Sequence, residues 1–110
     1  MTVGDWLAQR TPPPPDALAA RIRDALGGDL SRDVSNASEA CLAAAEQRLT
    51  MILSQQHTGR ESALDLLAAD ALITYALERV AESATSVDAW ATGAMRRIAA
   101  LGARHARGAA

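Results

Sequence analysis

Apolar positions along this chain fall into blocks with helical spacing, and the densest block runs from Glu61 to Glu82. Advanced at about 100° per residue, Leu64, Leu66, Ala68, Ala71, Leu72, Ile73, Tyr75, Ala76, Leu77 and Val80 occupy roughly two thirds of a helix circumference, against the ~100° stripe of an ordinary surface helix. A helix so broadly apolar needs neighbours on several sides, so this stretch is expected to be the central helix of the fold.

The flanking blocks supply those neighbours. From residue 37 to 57, Ala37, Cys41, Ala44, Ala45, Leu49, Ile52 and Leu53 mark an inner side and Glu39, Glu46, Gln47 and Gln55 an outer one, with Asn36 and Glu39, or Ser35 and Ser38, as start signals. His57-Thr58-Gly59-Arg60 is the turn into the central helix at 61–82; Gly59 can take positive φ, and Thr58 stands three residues before Glu61 in capping-box spacing. So short a link forces an antiparallel hairpin. Thr85 and Asp88 repeat the capping spacing, and Val87, Trp90, Ala91, Ala94, Ile98 and Leu101 mark a last helix at 86–104, expected to fray beyond Gly102.

The beginning of the chain is more broken. Thr2 and Asp5 have capping-box spacing for a short helical turn over residues 2–10, too short to persist alone. Pro12 to Pro15 then interrupts any helix. Pro12-x-x-Pro15 has the spacing that aromatic grooves read, but proline at the entry to a helix is the simpler role, and the run is read as a stiff spacer. A short amphipathic helix follows at 15–26, with Leu18, Ile22, Ala25 and Leu26 on one side and Gly27-Gly28 as its stop. Leu30 and Val34 punctuate the polar loop that continues to Ser35.

The predicted fold is therefore all-α: one helical domain over residues 1–110, an antiparallel helical bundle of three long helices plus a short N-terminal helix. Residues 1–14 form the Pro-rich N-terminal segment and 105–110 a flexible tail. Alanine supplies 26 of the 110 residues, and lysine and phenylalanine are absent. Aliphatic residues and alanine must fill the core, which favours close helix approach over a roomy cavity.

The net charge of −2 and pI of 5.6 give the whole molecule no attraction for nucleic acid or an anionic membrane. The charge is unevenly placed: from Ala89 onward there are four arginines and no acid, while residues 1–88 carry seven arginines against thirteen acids. No signal peptide is read at the N-terminus, and Asp65, Asp70 and Glu78 interrupt the central helix too often for membrane insertion. Cys41 stands alone, so no internal disulfide forms, and a cytoplasmic protein is expected.

Candidate chemistry is sparse. Asp65 falls on the inner arc of the central helix, where a carboxylate needs a partner such as Arg48; with Tyr75 it forms the candidate pair of buried polar groups. Neither His57 nor His105 has an acid three residues before it, and no Cys-x-x-Cys occurs, so no metal ligand set is present. Cys41 reads as a small core residue, and Gly27-Gly28 lacks the context of a phosphate loop. No catalytic residue or cofactor is assigned.

Trp6 and Trp90 read first as aromatic anchors for the ends of the bundle; the alternative is a partner surface, where Trp and Arg are enriched, with Trp6, Trp90, Arg96 and Arg97 as the candidate partner-binding residues. The expected function is a non-catalytic protein–protein interaction module, either a homo-oligomer or an accessory subunit of a larger complex. Two alternatives follow: a small enzyme or ligand-binding bundle with an interior site near Asp65 and Tyr75, and weak nucleic-acid binding through the Arg-bearing C-terminus.

Overall fold

The computed structural model describes residues 1–55, 59–83 and 86–109. The expected caps at Thr58 and Thr85, and the turn residue His57, lie outside the described residues. Five α-helices follow in order: α1 (Val3–Ala8), α2 (Asp16–Leu26), α3 (Ala37–Gln55), α4 (Arg60–Glu82) and α5 (Val87–Ala109). Two short 3-10 turns, Gly27–Ser31 and Val34–Asn36, join α2 to α3, and no strand occurs among the described residues. The fold is all-α.

α1 shows how local signals and tertiary contacts combine. The Thr2 hydroxyl accepts from the Asp5 backbone N–H at 3.1 Å and the Asp5 carboxylate accepts from the Thr2 N–H at 3.0 Å, completing the capping box. The Asp5 carboxyl is held below its usual value mainly by those bonds from Thr2. Six residues cannot sustain a helix alone. The loop after α2 supplies the support: the Val3 N–H donates to the Arg32 carbonyl at 2.8 Å and the Val34 N–H to the Met1 carbonyl at 3.0 Å. Gly4 permits the approach, because a Cβ there would stand 3.2 Å from the Leu30 carbonyl oxygen.

α2 starts after Pro15 and stops at Gly27, whose φ of 50° turns the chain out of the helix. α3 and α4 form the antiparallel hairpin that is the most extensive helix pairing of the fold, entered through Gly59 at φ 116°. α2 lies against one side of this hairpin. α5 lies on the other, mainly along α3 and parallel to it: Trp90 stands near Ser35 and Ser38, and Leu101, Arg104 and His105 stand beside Thr50, Leu53 and Ser54. The core is built largely from small residues, with Ala37, Ala40, Cys41, Ala45, Ala68, Leu72 and Ala76 closing the hairpin, as an alanine-rich chain requires.

Two expectations are corrected here. α3 buries residues only in its first half, from Ala37 to Ala45; Leu49 and Ile52 are half-buried and Leu53 is 36 % exposed. The last helix continues past 104 to Ala109 where a frayed end and a tail were expected. Residues from Gly102 to Gly108 are all exposed, so packing does not hold this turn. Ala103, Arg104, Ala106 and Arg107 favour helix intrinsically, and cations near a helix C-terminus offset its dipole.

Candidate functional site

Asp65 is 9 % exposed and faces two arginines. Its Oδ1 accepts from Arg21 Nη1 at 2.9 Å, and Arg48 Nη1 stands 3.7 Å away. Arg21 also bonds Glu61, and these two carboxylates, Glu61 first, hold its guanidinium above its usual pKa. The carboxylate thus ties α4 to α2 and α3. The nearer partner, Arg21, belongs to α2, and helical spacing within the hairpin gives no sign of it.

Tyr75 occupies a different place. It lies ten residues further along α4, about 15 Å at 1.5 Å per residue, and its ring meets that of Trp6 edge-on with centroids 6.4 Å apart at 87°. Asp65 and Tyr75 therefore do not converge on one interior site. Burial is the main cause holding the Tyr75 hydroxyl above its usual pKa, and the nearby Glu78 adds to it. Beside Tyr75 a half-open cleft of ≈ 230 Å³ is lined by Leu7, Pro13, Pro14, Ile22 and Arg23, smaller than the ~300–1,000 Å³ of small-molecule pockets.

Trp6 is 2 % exposed and belongs to the core, which removes it from the candidate partner surface. Its Nε1–H donates to Glu82 Oε2 at 2.9 Å, Arg10 Nη1 donates to Glu82 Oε1 at 2.6 Å, and the Arg10 guanidinium lies 4.2 Å above the Trp6 ring. These bonds, that from Trp6 first, hold the Glu82 carboxyl below its usual value. The cluster clasps the N-terminal segment onto the end of α4.

Arg97 is also engaged within the chain. It bonds Glu39 at 2.9 Å and Glu46, both on α3, and Glu39 is the main cause of its raised pKa. Its charge is already met, so Arg97 is an α3–α5 tie and not an open cation. Trp90 is half-buried beside Ser35, Ser38, Val80 and Ser83. Arg96 is exposed and makes no ion pair among the described residues. Cys41 is fully buried, and burial pushes its thiol up to about 12. Among the described residues no cluster of three or more His, Cys, Asp or Glu is placed to hold a metal ion, and no helix is long and apolar enough to cross a membrane.

The back of α4 carries exposed leucines beside exposed Asp70, Thr74 and Glu78. With Asp65 taken as the centre of the inner face, buried Ala68, Ala69, Leu72, Ala76 and Val80 fall within about 60° of it on a helical projection. Leu66, Leu77, Asp70 and Leu67 fall at about 100°, 120°, 140° and 200°, on the far side. Leu66 is 54 % and Leu67 53 % exposed, and Ile73 and Leu77 are half-buried. α2 and α5 occupy the flanks of the hairpin and leave this back uncovered. Neither leucine stood out as a site in the sequence; the signal was the width of the apolar arc. Comparison with known proteins returns no match: no family model, no curated protein and no solved structure matches the chain.

Proposed function

We propose that the chain is a non-catalytic interaction module, working as a homo-oligomer or as an accessory subunit of a larger assembly. One observation carries the reading: the long helix α4 keeps Leu66 and Leu67 half-exposed on its outer side, which no other described helix covers. Large apolar side chains left open on a helix are what a partner helix buries. The polar groups of the interior favour the same reading, since Asp65 is met by Arg21 and Arg48, and the Cys41 thiol is held protonated by burial.

The deciding experiment compares the native chain with a Leu66→Ser, Leu67→Ser double variant, by light scattering and by affinity capture from the native cell. The expected result is an oligomer or a stoichiometric partner that the folded double variant loses. A native chain that is monomeric and captures nothing beyond what the double variant captures would sink the proposal.

A further inference from the structure

We infer that the back of α4 is the docking surface for α5 of a second copy of this chain, and that the contact is reciprocal. The inference rests on the interaction-module reading and names the partner.

The two surfaces match in spacing. On α4, Leu66, Asp70, Ile73 and Leu77 stand at i, i+4, i+7 and i+11. On α5, Met95, Ala99, Gly102 and Ala106 have the same spacing, all are exposed, and Met95 is 70 % exposed. Each stripe is about 16 Å long at 1.5 Å per residue. They are complementary in size: branched side chains on α4 meet alanine and glycine on α5, which lets the helix axes approach closely and the larger side chains seat between turns. Neither stripe is fully covered within its own chain, because α5 lies mainly along α3.

The two stripes also border one face of the molecule. On α4 the stripe lies on the flank away from Tyr75, which faces α1 and α2. On α5 it lies well round the helix from Arg97, which is bound to α3, and so toward the α4 edge. A two-fold axis can therefore bring α4 of each copy onto α5 of the other, giving a closed, isologous pair.

Charge selects this pairing over its nearest rival. Asp70 sits in the α4 stripe, and Arg96 borders the α5 stripe; both are exposed and neither makes an ion pair among the described residues. From Ala89 onward every charged side chain is an arginine. Packing α4 against α4 across a two-fold axis would instead set one Asp70 near the other in an otherwise apolar seam, a like-charge contact that opposes association. Asp70 on α4 facing Arg96 on α5 removes that repulsion and supplies attraction in both halves of the interface.

Sedimentation velocity over a range of concentrations tests the inference on the native chain, Asp70→Arg, Arg96→Asp and an equimolar mixture of the two variants. Both positions are exposed and make no ion pair within the described chain, so each variant should fold, which circular dichroism verifies. The native chain should dimerise. Each charge reversal should raise the concentration of half-association about tenfold or more. The mixture should recover the native value. A heterodimer of the two variants keeps one native Asp70–Arg96 contact and sets the introduced arginine against the introduced aspartate in the other half, so opposite charges meet in both.

A dimer indifferent to both reversals, or a mixture no tighter than its components, would overturn this docking surface while leaving the module reading in place. A native chain monomeric at every concentration would overturn the inference and the homo-oligomer form of that reading together; the accessory-subunit form would still stand or fall on affinity capture.

Discussion

Trp6 Nε1 donates a 2.9 Å hydrogen bond to the Glu82 carboxylate, joining residues 76 positions apart and fastening a six-residue helix to the end of α4. The ring is buried and packs edge-on to Tyr75, so replacing Trp6 with Ala removes core area, an aromatic contact and a charged hydrogen bond at once. A loss of about 3–5 kcal/mol is expected, a large part of the ~5–15 kcal/mol available to a domain. Trp6→Phe keeps most of the ring but not its N–H and should cost about 1–3 kcal/mol, since the bond it loses is to a charged group. Chemical denaturation followed by far-ultraviolet circular dichroism measures both.

The same cluster sets a pH dependence. Bonds from Trp6 and Arg10 hold the folded-state Glu82 carboxyl below its ordinary value of 4.5, so the unfolded chain binds a proton at Glu82 more readily than the folded chain does. The stabilisation is therefore fully present above about pH 5 and is lost as pH falls through the depressed folded-state value. Glu82→Gln should flatten that part of the stability profile, and its deficit against the native chain should be larger at pH 7 than at pH 3. A constant deficit across that range would show that the carboxylate charge is not the stabilising feature.

Much of this architecture is legible in residue order, and the reason is local. Thr2 and Asp5, Gly27 and Gly59 act within a few residues of themselves, so the first capping box, the stop of α2 and the turn of the hairpin can be read without tertiary knowledge. The Asp65 anomaly is legible for a similar reason, because helical spacing places it on the inner arc. Its chief partner is not: Arg21 looks like any residue of an amphipathic helix until α2 is docked. Trp6 shows the same limit: large aromatic area favours a core anchor over a partner surface, but residue order does not name the Glu82 and Tyr75 contacts that hold it there. The incomplete burial of Leu49, Ile52 and Leu53 was also hidden, because periodicity tells which side of a helix faces inward and not how fully that side is covered.

Asp65 links three helices, and its removal should be felt. Asp65→Ala leaves the Arg21 and Arg48 guanidinium groups, whose side chains are 25 % and 18 % exposed, without their shared carboxylate. A cost of about 2–4 kcal/mol is expected, below that of a fully buried pair because Arg21 keeps Glu61 and both arginines keep some water. Asp70→Ala, on the exposed side of the same helix, should change stability by no more than about 0.5 kcal/mol. Equal effects at the two positions, measured by urea denaturation, would contradict the placement of Asp65.

Cys41 should behave as a core residue toward thiol reagents. It has no exposed surface and its thiol is raised to about 12, so the folded chain holds almost no thiolate at pH 8. Reaction with a disulfide reagent should be slow in buffer and should accelerate by several orders of magnitude in denaturant. Its rate in buffer should follow the opening of the fold, so that Trp6→Ala, which loosens the clasp, reacts faster than the native chain. Rapid labelling of the folded native chain would contradict the buried position.

The two faces of α4 should separate stability from association. Leu72 is fully buried between α4 and its neighbours, whereas Leu66 is 54 % exposed on the back of the same helix. Leu72→Ala should cost about 2–5 kcal/mol through lost burial and the cavity left behind. Leu66→Ala removes a similar number of atoms from a site that water already reaches, and alanine has the higher helix propensity, so its cost should stay below about 1 kcal/mol. Self-association should respond in the opposite order: Leu66→Ala weakens it at unchanged monomer stability, while Leu72→Ala affects it only to the extent that the chain unfolds. Denaturation at low protein concentration and light scattering at high concentration, performed on both variants, read the two quantities separately. If Leu66→Ala destabilised the isolated monomer as much as Leu72→Ala, the back of α4 would be core and the docking surface would have to lie elsewhere.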